Sequence, residues 1–139
     1  MLAAGGCSAL LLALSAAPSW AFSAATLMGN CSFSFSESKS DGATNVAVGL
    51  YSFDGAGNLI ASTSVVSNNG TGETFNDFAN IQSGSYTVNG NGTGTLTINS
   101  GGADTYNIVI DEVSGGLAKE VRFLSQSSGK AGLSICRFQ

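Results

Sequence analysis

Short stretches of alternating apolar and polar residues make up most of the chain after residue 30. A period of two places successive side chains on opposite faces of a strand, and no stretch after residue 21 shows the 3.6-residue apolar period of an amphipathic helix. Clusters of Gly, Asn and Ser interrupt the alternation every 8 to 15 residues, which is typical of all-β domains. The pattern predicts strands at about 31–37, 44–54, 58–66, 73–80, 84–89, 93–99, 104–113 and 117–125, and a further strand at 131–138 if 73–80 is a loop.

One turn pattern occurs twice, about 35 residues apart. The two copies are Tyr51-Ser-Phe53-Asp54-Gly55-Ala-Gly57-Asn58 and Tyr86-Thr-Val88-Asn89-Gly90-Asn-Gly92-Thr93. Asp-Gly and Asn-Gly provide the positive φ angles of tight hairpin turns, because Gly has no Cβ and Asn or Asp tolerates the left-handed region. The copies predict two equivalent hairpins with Gly55 and Gly90 at positive φ, and the turn glycines are Gly55, Gly57, Gly90 and Gly92.

Several predicted strands have one apolar face. Leu96 and Ile98 share a face, for example, whereas Thr95 and Thr97 lie on the opposite one. This alternation is typical of an antiparallel sheet with one buried and one solvated side. The residues expected in the interior are Phe33, Phe35, Tyr51, Phe53, Tyr86, Val88, Leu96, Ile98, Tyr106, Ile108, Ile110, Val121 and Phe123.

The second predicted strand departs from this alternation. Val46, Val48 and Leu50 have one parity, and Tyr51 and Phe53 have the other. A β-bulge near residue 49 would bring both groups inward, since a bulge inserts one extra residue and favours Gly. The alternative is a strand that is covered on both faces.

The two ends of the β-patterned region each carry a cysteine. A bond between Cys31 and Cys136 would hold the first and last strands together and remove the exposed sheet edges. It would close a loop of about 100 residues and contribute up to about 4–5 kcal/mol in the loop-entropy model. With these cysteines facing each other, Leu133 and Ile135 fall on the polar face of the first strand. The sequence thus predicts an all-β fold, an antiparallel up-and-down meander of about eight strands closed into a small barrel.

The first 21 residues resemble a secretory signal peptide. A short apolar run, Leu10–Leu14, is followed by small residues suited to cleavage after Ala21. The run is too short for a membrane-spanning helix, although the usual positive charge before it is missing. The sequence Ala4-Gly5-Gly6-Cys7 is a poor lipoprotein box, because the apolar run follows the cysteine. We expect a signal peptide at 1–21, one domain at 22–139, and a secreted or periplasmic protein without lipid anchoring.

Composition excludes several classes of function. The chain has no His, which removes the commonest general base and metal ligand. Its net charge of −4 argues against a nucleic-acid partner. The segment from Asp54 to Asn58 is shaped like a calcium loop but carries a single carboxylate, so a hairpin turn is favoured over a metal site. We expect no metal and no cofactor.

The densest charge cluster surrounds the turn at 114–116. It contains Asp111, Glu120 and Arg122, and opposite charges there can pair across adjacent strands on the solvent face. The alternative is a catalytic carboxylate inside the barrel, with Asp111 or Glu120 as the candidates.

The repeated Tyr-x-Phe-Asp-Gly-x-Gly-Asn and Tyr-x-Val-Asn-Gly-x-Gly-Thr units resemble those of small exported bacterial glycine-rich β-hairpin proteins of unassigned function. The resemblance is strongest from Gly84 to Thr97 and implies an exported, meandering β-domain. Barrels of the lipocalin or allene-oxide-cyclase type are the architectural analogue. We therefore expect a non-enzymatic barrel that binds a small apolar ligand or forms part of the cell envelope. The alternatives are a barrel enzyme of the cyclase or isomerase type and a surface adhesin or assembly subunit with an open edge.

Overall fold

Eight antiparallel strands follow one another around a closed barrel, in which the first strand pairs with the last. The computed structural model describes residues 21–68, 83–99, 103–126 and 128–139. The predicted all-β meander and its closure are confirmed. The strands are β1 Met28–Lys39, β2 Thr44–Asp54, β3 Asn58–Asn68, β4 Gly84–Val88, β5 Thr93–Asn99, β6 Ala103–Ser114, β7 Leu117–Ser125 and β8 Lys130–Phe138.

The observed strands lie close to the predicted ones, and the conditional last strand is present as β8. The strand predicted at 73–80 lies outside the described residues. The largest boundary difference is in β1, which begins at Met28 because its first residues pair with the end of β2, Met28 lying opposite Asp54. In the described part of the chain the one helical element is a 3₁₀ turn at Ala24–Thr26, and no helix there is long and apolar enough to cross a membrane.

The seam between β1 and β8 carries the disulfide. The register runs without a shift from Cys31 opposite Phe138 to Lys39 opposite Lys130. Cys31 and Cys136 are bonded, with their Cα atoms 5.5 Å apart, and neither side chain is exposed. The predicted disulfide is therefore present and ties the two ends of the sheet together inside the barrel.

The β-bulge expected near residue 49 does not place both apolar groups of β2 inside. β2 pairs with β1 in unbroken register, and the extra residue of the β2–β3 pair lies in β3, where Val48 faces Val66 and Leu50 faces Thr63. Tyr51 therefore points inward, while Val46, Val48 and Leu50 point outward with 43%, 54% and 38% of their surface exposed. The bulge prediction is wrong because the partner strand absorbs the irregularity. Leu133 on β8 is also exposed on this outer face, as its parity required.

Two glycines let β4 and β5 pack closely against their neighbours. A Cβ on Gly84 would lie 2.5 Å from the Thr97 carbonyl oxygen, and a Cβ on Gly94 would overlap the Thr87 carbonyl. These backbones approach more closely than any side chain allows. β4 is also the shortest strand, and among the described residues it pairs with β3 at two positions. Close approach at these glycines therefore holds β4 and β5 against each other.

The two glycine turns differ in detail. Gly55 and Gly57 of the β2–β3 turn have φ of 74° and 108°, and Gly92 of the β4–β5 turn has φ of 83°. Gly90 lies in the turn but not in the left-handed region, so its predicted positive φ is wrong. The second turn bends at Asn89, whose N–H bonds to the Thr93 carbonyl, and places its left-handed residue at Gly92. The two hairpins are therefore not equivalent.

One end of the barrel is sealed by the residues before β1. We call it the sealed end. Leu27 is fully buried there, and Phe22 lies over Gly92. The Tyr86 hydroxyl donates to the Leu27 carbonyl at 2.8 Å and lies 3.1 Å from the Ala24 carbonyl. These bonds satisfy a buried hydroxyl and hold the 3₁₀ turn across the opening. The opposite end, where β1 ends and β2, β6 and β8 begin, is the rim.

Candidate functional site

The barrel interior changes character between its two ends. Toward the sealed end most inward side chains are buried, and Val88, Val113 and Phe138 are half-buried at the margin of this core. Toward the rim, Phe35, Ala47, Tyr51 and Tyr106 face inward and pack on that core but remain partly exposed. We call these four residues, together with the polar side chains beside them at the rim, the cup.

Aromatic rings form the floor of the cup. Phe35 of β1 and Tyr106 of β6 meet edge to face with ring centroids 6.3 Å apart, a contact that crosses the barrel because β7 and β8 separate the two strands. Tyr51 stacks on Phe33 at 4.0 Å, and Gly49, opposite Phe33 in the register, leaves room for this arrangement. Both geometries are favourable for aromatic pairs. The floor is thus a layer of packed rings.

A buried carboxylate stands beside these rings. Glu37 lies two residues after Phe35 on the inward face of β1, and 3% of its surface is exposed. Its one hydrogen bond among the described residues comes from Asn45 Nδ2, at 3.4 Å. A Cβ on Gly132, opposite Glu37 on β8, would lie 3.1 Å from the carbons of Glu37 and Phe35. The missing side chain of Gly132 therefore makes the space that Glu37 and Phe35 occupy.

An ion pair crosses the rim above this layer. Lys130 Nζ of β8 lies 3.1 Å from Asp104 Oδ1 of β6, and both side chains are about one-third exposed. The pair reaches over the end of β7, the strand between them. Lys39 of β1 stands opposite Lys130 and is half-buried, but it makes no ion pair with Glu37 within the described ranges. The ammonium of Lys130 is therefore engaged by Asp104, and Glu37 makes no ion pair with any described residue.

Burial raises the pKa of the tyrosines inside the barrel. The pKa of Tyr106 is raised to about 12, chiefly by burial and then by the carboxylates of Asp104 and Glu37. Burial and the neighbouring Tyr106 raise the pKa of Tyr51 as well. Both phenols are therefore neutral at physiological pH and act as hydrogen-bonding hydroxyls in the cup.

All the residues expected inside belong to the core or pack against it. Phe33, Phe53, Tyr86, Leu96, Ile98, Ile108, Ile110, Val121 and Phe123 are buried, while Phe35, Tyr51, Val88 and Tyr106 are half-buried. The structure brings Phe35, Tyr51 and Tyr106 together in the cup. Val88 lies toward the sealed end, where its strand meets the β4–β5 turn. The candidate interior therefore divides into a filled core and a smaller accessible group.

The two candidate catalytic carboxylates lie outside the barrel, so the interpretation that places them inside is wrong. Arg122 contacts Asp111 at 2.6 Å and Glu120 at 3.3 Å, and Arg137 contacts Glu120 at 3.0 Å. The register shift between β6 and β7 near Glu112 changes the parity there. The hydrogen bond from Arg137 lowers the pKa of Glu120, so this carboxylate is ionised and paired. The cluster is the cross-strand charge network of an outer face.

The turn from Asp54 to Asn58 uses its own carboxylate. Asp54 Oδ1 accepts the N–H groups of Ala56 at 2.7 Å and Asn58 at 2.9 Å, and Oδ2 accepts Asn58 Nδ2 at 2.6 Å. These bonds, led by the Asn58 side chain, lower the pKa of Asp54. In the described part of the chain no three Cys, Asp or Glu side chains lie close enough together to hold a metal ion. The carboxylate is thus used to form the turn.

The sequence analysis did not identify the polar residues of the cup, which are Glu37, Asp104 and Lys130. Glu37 was detectable, because it continues the inward parity of Cys31, Phe33 and Phe35. The Lys130–Asp104 pair was not, since those residues lie on strands that are not neighbours and meet only when the sheet closes. The residues that seal the other end gave no signal, because 22–27 has no strand or helix pattern.

Comparison with known proteins does not assign the chain to a family. No protein family model matches the chain, and no curated protein or solved structure does. The site described above is therefore the basis on which a function can be assigned.

Proposed function

We propose that this protein is an exported, non-enzymatic binding barrel that holds one small, largely apolar molecule in the cup. The single observation that carries the proposal is the contrast between the two ends. Toward the sealed end most inward side chains are buried, whereas Phe35, Ala47 and Tyr106 near the rim are turned inward and partly exposed. Eight strands make a barrel just wide enough either to fill with side chains or to hold one small ligand.

The chemistry of the cup suits binding better than catalysis. Ala47 on β2 is a small inward residue beside the rings, whereas the room at Gly49 and Gly132 is used by the Tyr51–Phe33 stack and by Glu37 and Phe35. Binding pockets are lined mostly by apolar and aromatic groups, with a few polar groups that orient the ligand. The disulfide between Cys31 and Cys136 is consistent with export into an oxidising compartment.

The other two classes have less support. The cyclase or isomerase hypothesis depended on Asp111 or Glu120 inside the barrel, and both are paired on the outer face. The adhesin or assembly hypothesis depended on an open edge strand, and the sheet is a closed barrel.

A cup-filling substitution tests the proposal. Ala47 faces inward opposite Phe35, so Ala47→Phe places a second ring in the space that a ligand would use. Ala131 lies on the outer face of β8, and Ala131→Phe is the matched control. We expect the parent and Ala131→Phe to bind the neutral apolar dye N-phenyl-1-naphthylamine with equal affinity, and Ala47→Phe to bind it at least about tenfold more weakly.

Fluorescence titration gives the affinities, and far-ultraviolet circular dichroism checks that each variant is folded. A parent that does not bind the dye, or an Ala47→Phe variant that is folded and binds it as the parent does, overturns the proposal.

A further inference from the structure

The charged side chains at the rim are not all paired. Asp104 and Lys130 pair at 3.1 Å, whereas neither Glu37 nor Lys39, two residues further along β1, makes an ion pair among the residues that the structure describes. That carboxylate is nine-tenths buried or more and receives one long hydrogen bond from this part of the chain, from Asn45 at 3.4 Å. A buried carboxylate with so few partners is unfavourable, and buried charges in proteins are normally paired.

The surroundings of Glu37 are those of a site for an organic cation. Phe35 lies next to it on the same face, and Tyr106 is close enough for the Glu37 charge to raise its pKa. Aromatic ring faces attract ammonium groups, and desolvation strengthens the attraction. A carboxylate beside aromatic rings therefore favours a positively charged ligand with an apolar body.

Asn45 is the group that such a ligand would replace. Its side chain is half-exposed toward the cup, and its bond to Glu37 is at the long end of hydrogen-bond distances. An ammonium N–H donor to a carboxylate makes a shorter and stronger bond than a neutral amide does. Displacing Asn45 from Glu37 therefore exchanges a weak contact for a strong one.

We propose that the cup binds a small organic amine as its ammonium ion, with Glu37 as the anionic partner and Phe35 and Tyr106 against its apolar body. This inference rests on the proposed function, because it names the ligand class of the same cup. It also gives Glu37 a role that the packing of the barrel does not require.

Three probes with the same phenyl body separate the headgroups: 2-phenylethylamine, 2-phenylethanol and phenylacetate. We expect the amine to bind at least about tenfold more tightly than the alcohol, and phenylacetate to bind most weakly, by titration calorimetry at neutral pH. Glu37→Gln should weaken amine binding about 10- to 100-fold, the range for hydrogen bonds to charged groups, and leave the alcohol unchanged. Glu112→Gln removes an exposed carboxylate and is the matched control, with parent affinities expected.

Thermal melts without ligand add a second readout. Glu37→Gln should melt at or above the parent temperature, because it replaces a buried carboxyl group that makes no ion pair in the described structure. Equal binding of the amine and alcohol, tighter binding of phenylacetate, or amine binding that survives Glu37→Gln overturns the cation assignment. If the alcohol and the neutral dye still bind in that case, the proposed function stands although the cation assignment is lost. If none of the three probes nor the dye binds the parent, both fall.

Discussion

Single glycines decide how closely β4 and β5 approach their neighbours. Gly94 is buried, and a Cβ there would overlap the Thr87 carbonyl of β4 and lie 3.2 Å from the Ile108 side chain of β6. Gly90, in the turn between the same strands, has no positive φ, and a Cβ added there would meet no atom within 4 Å. The two positions therefore differ in their tolerance of a methyl group, although the sequence makes Gly90 the more conspicuous turn residue.

We predict that Gly94→Ala destabilises the protein by about 2–3 kcal/mol or more, because the backbone of β4 or β5 must move to admit the methyl group. Gly90→Ala should change the free energy of unfolding by no more than about 0.5 kcal/mol, as is usual for exposed positions. Urea denaturation of both variants measures the difference. Equal effects of the two substitutions would show that β4 and β5 do not approach each other so closely.

At the scale of elements, two seams close the barrel with unequal strength. The β1–β8 seam has a continuous register and the disulfide, whereas the β3–β4 seam has two paired positions. A cross-link between the first and last strands restricts the unfolded chain most, because it closes nearly the whole domain into one loop. The backbone hydrogen bonds between β1 and β8 do not require the disulfide.

We therefore predict that the double variant Cys31→Ala/Cys136→Ala remains a β-barrel but loses about 2–4 kcal/mol of stability. Far-ultraviolet circular dichroism checks the fold and urea denaturation the stability. The parent unfolded in the presence of a reductant is the control and should match the double variant. Two free thiols in the unreduced, denatured domain 22–139, or a double variant as stable as the parent, would contradict the role of the bond.

On the scale of the whole molecule, the closed barrel removes its tyrosines from water. Burial raises the pKa of Tyr51 and Tyr86, and raises that of Tyr106 to about 12. A group whose pKa is higher in the folded state than in the unfolded chain stabilises the fold below its unfolded value. That contribution is lost as pH rises from the unfolded value of 10.0 through the folded value.

We predict that the protein loses stability between about pH 10 and pH 12, with little phenolate forming before the barrel opens. Ultraviolet absorbance of the phenolate and far-ultraviolet circular dichroism, followed over the same pH range, should change together. Tyr106→Phe should lessen the loss, because it removes one of the groups that must ionise. Phenolate absorbance that rises near pH 10 in a barrel still folded would show that the rings are open to solvent.

Local patterns in the sequence determined the class of fold, the order of the strands and the disulfide. Alternation with a period of two and Gly-rich turns involve residues that are close together in the sequence. A single strand or hairpin is therefore enough to reveal them. The inward parity of β1 likewise determined that Phe33, Phe35 and Glu37 share a face. The parity of β2 was equally clear, but its outward Val46 and Val48 looked like a second core face.

Only closure of the sheet decided which end is filled and which side chains meet across the lumen. The Phe35–Tyr106 contact and the Lys130–Asp104 pair join strands that are not neighbours, so they depend on the curvature and stagger of all eight strands together. Closure likewise brought Lys130 to Asp104, and Glu37 makes no ion pair within the described ranges. Pairing across a lumen is a property of the whole barrel, and no local run of residues encodes it.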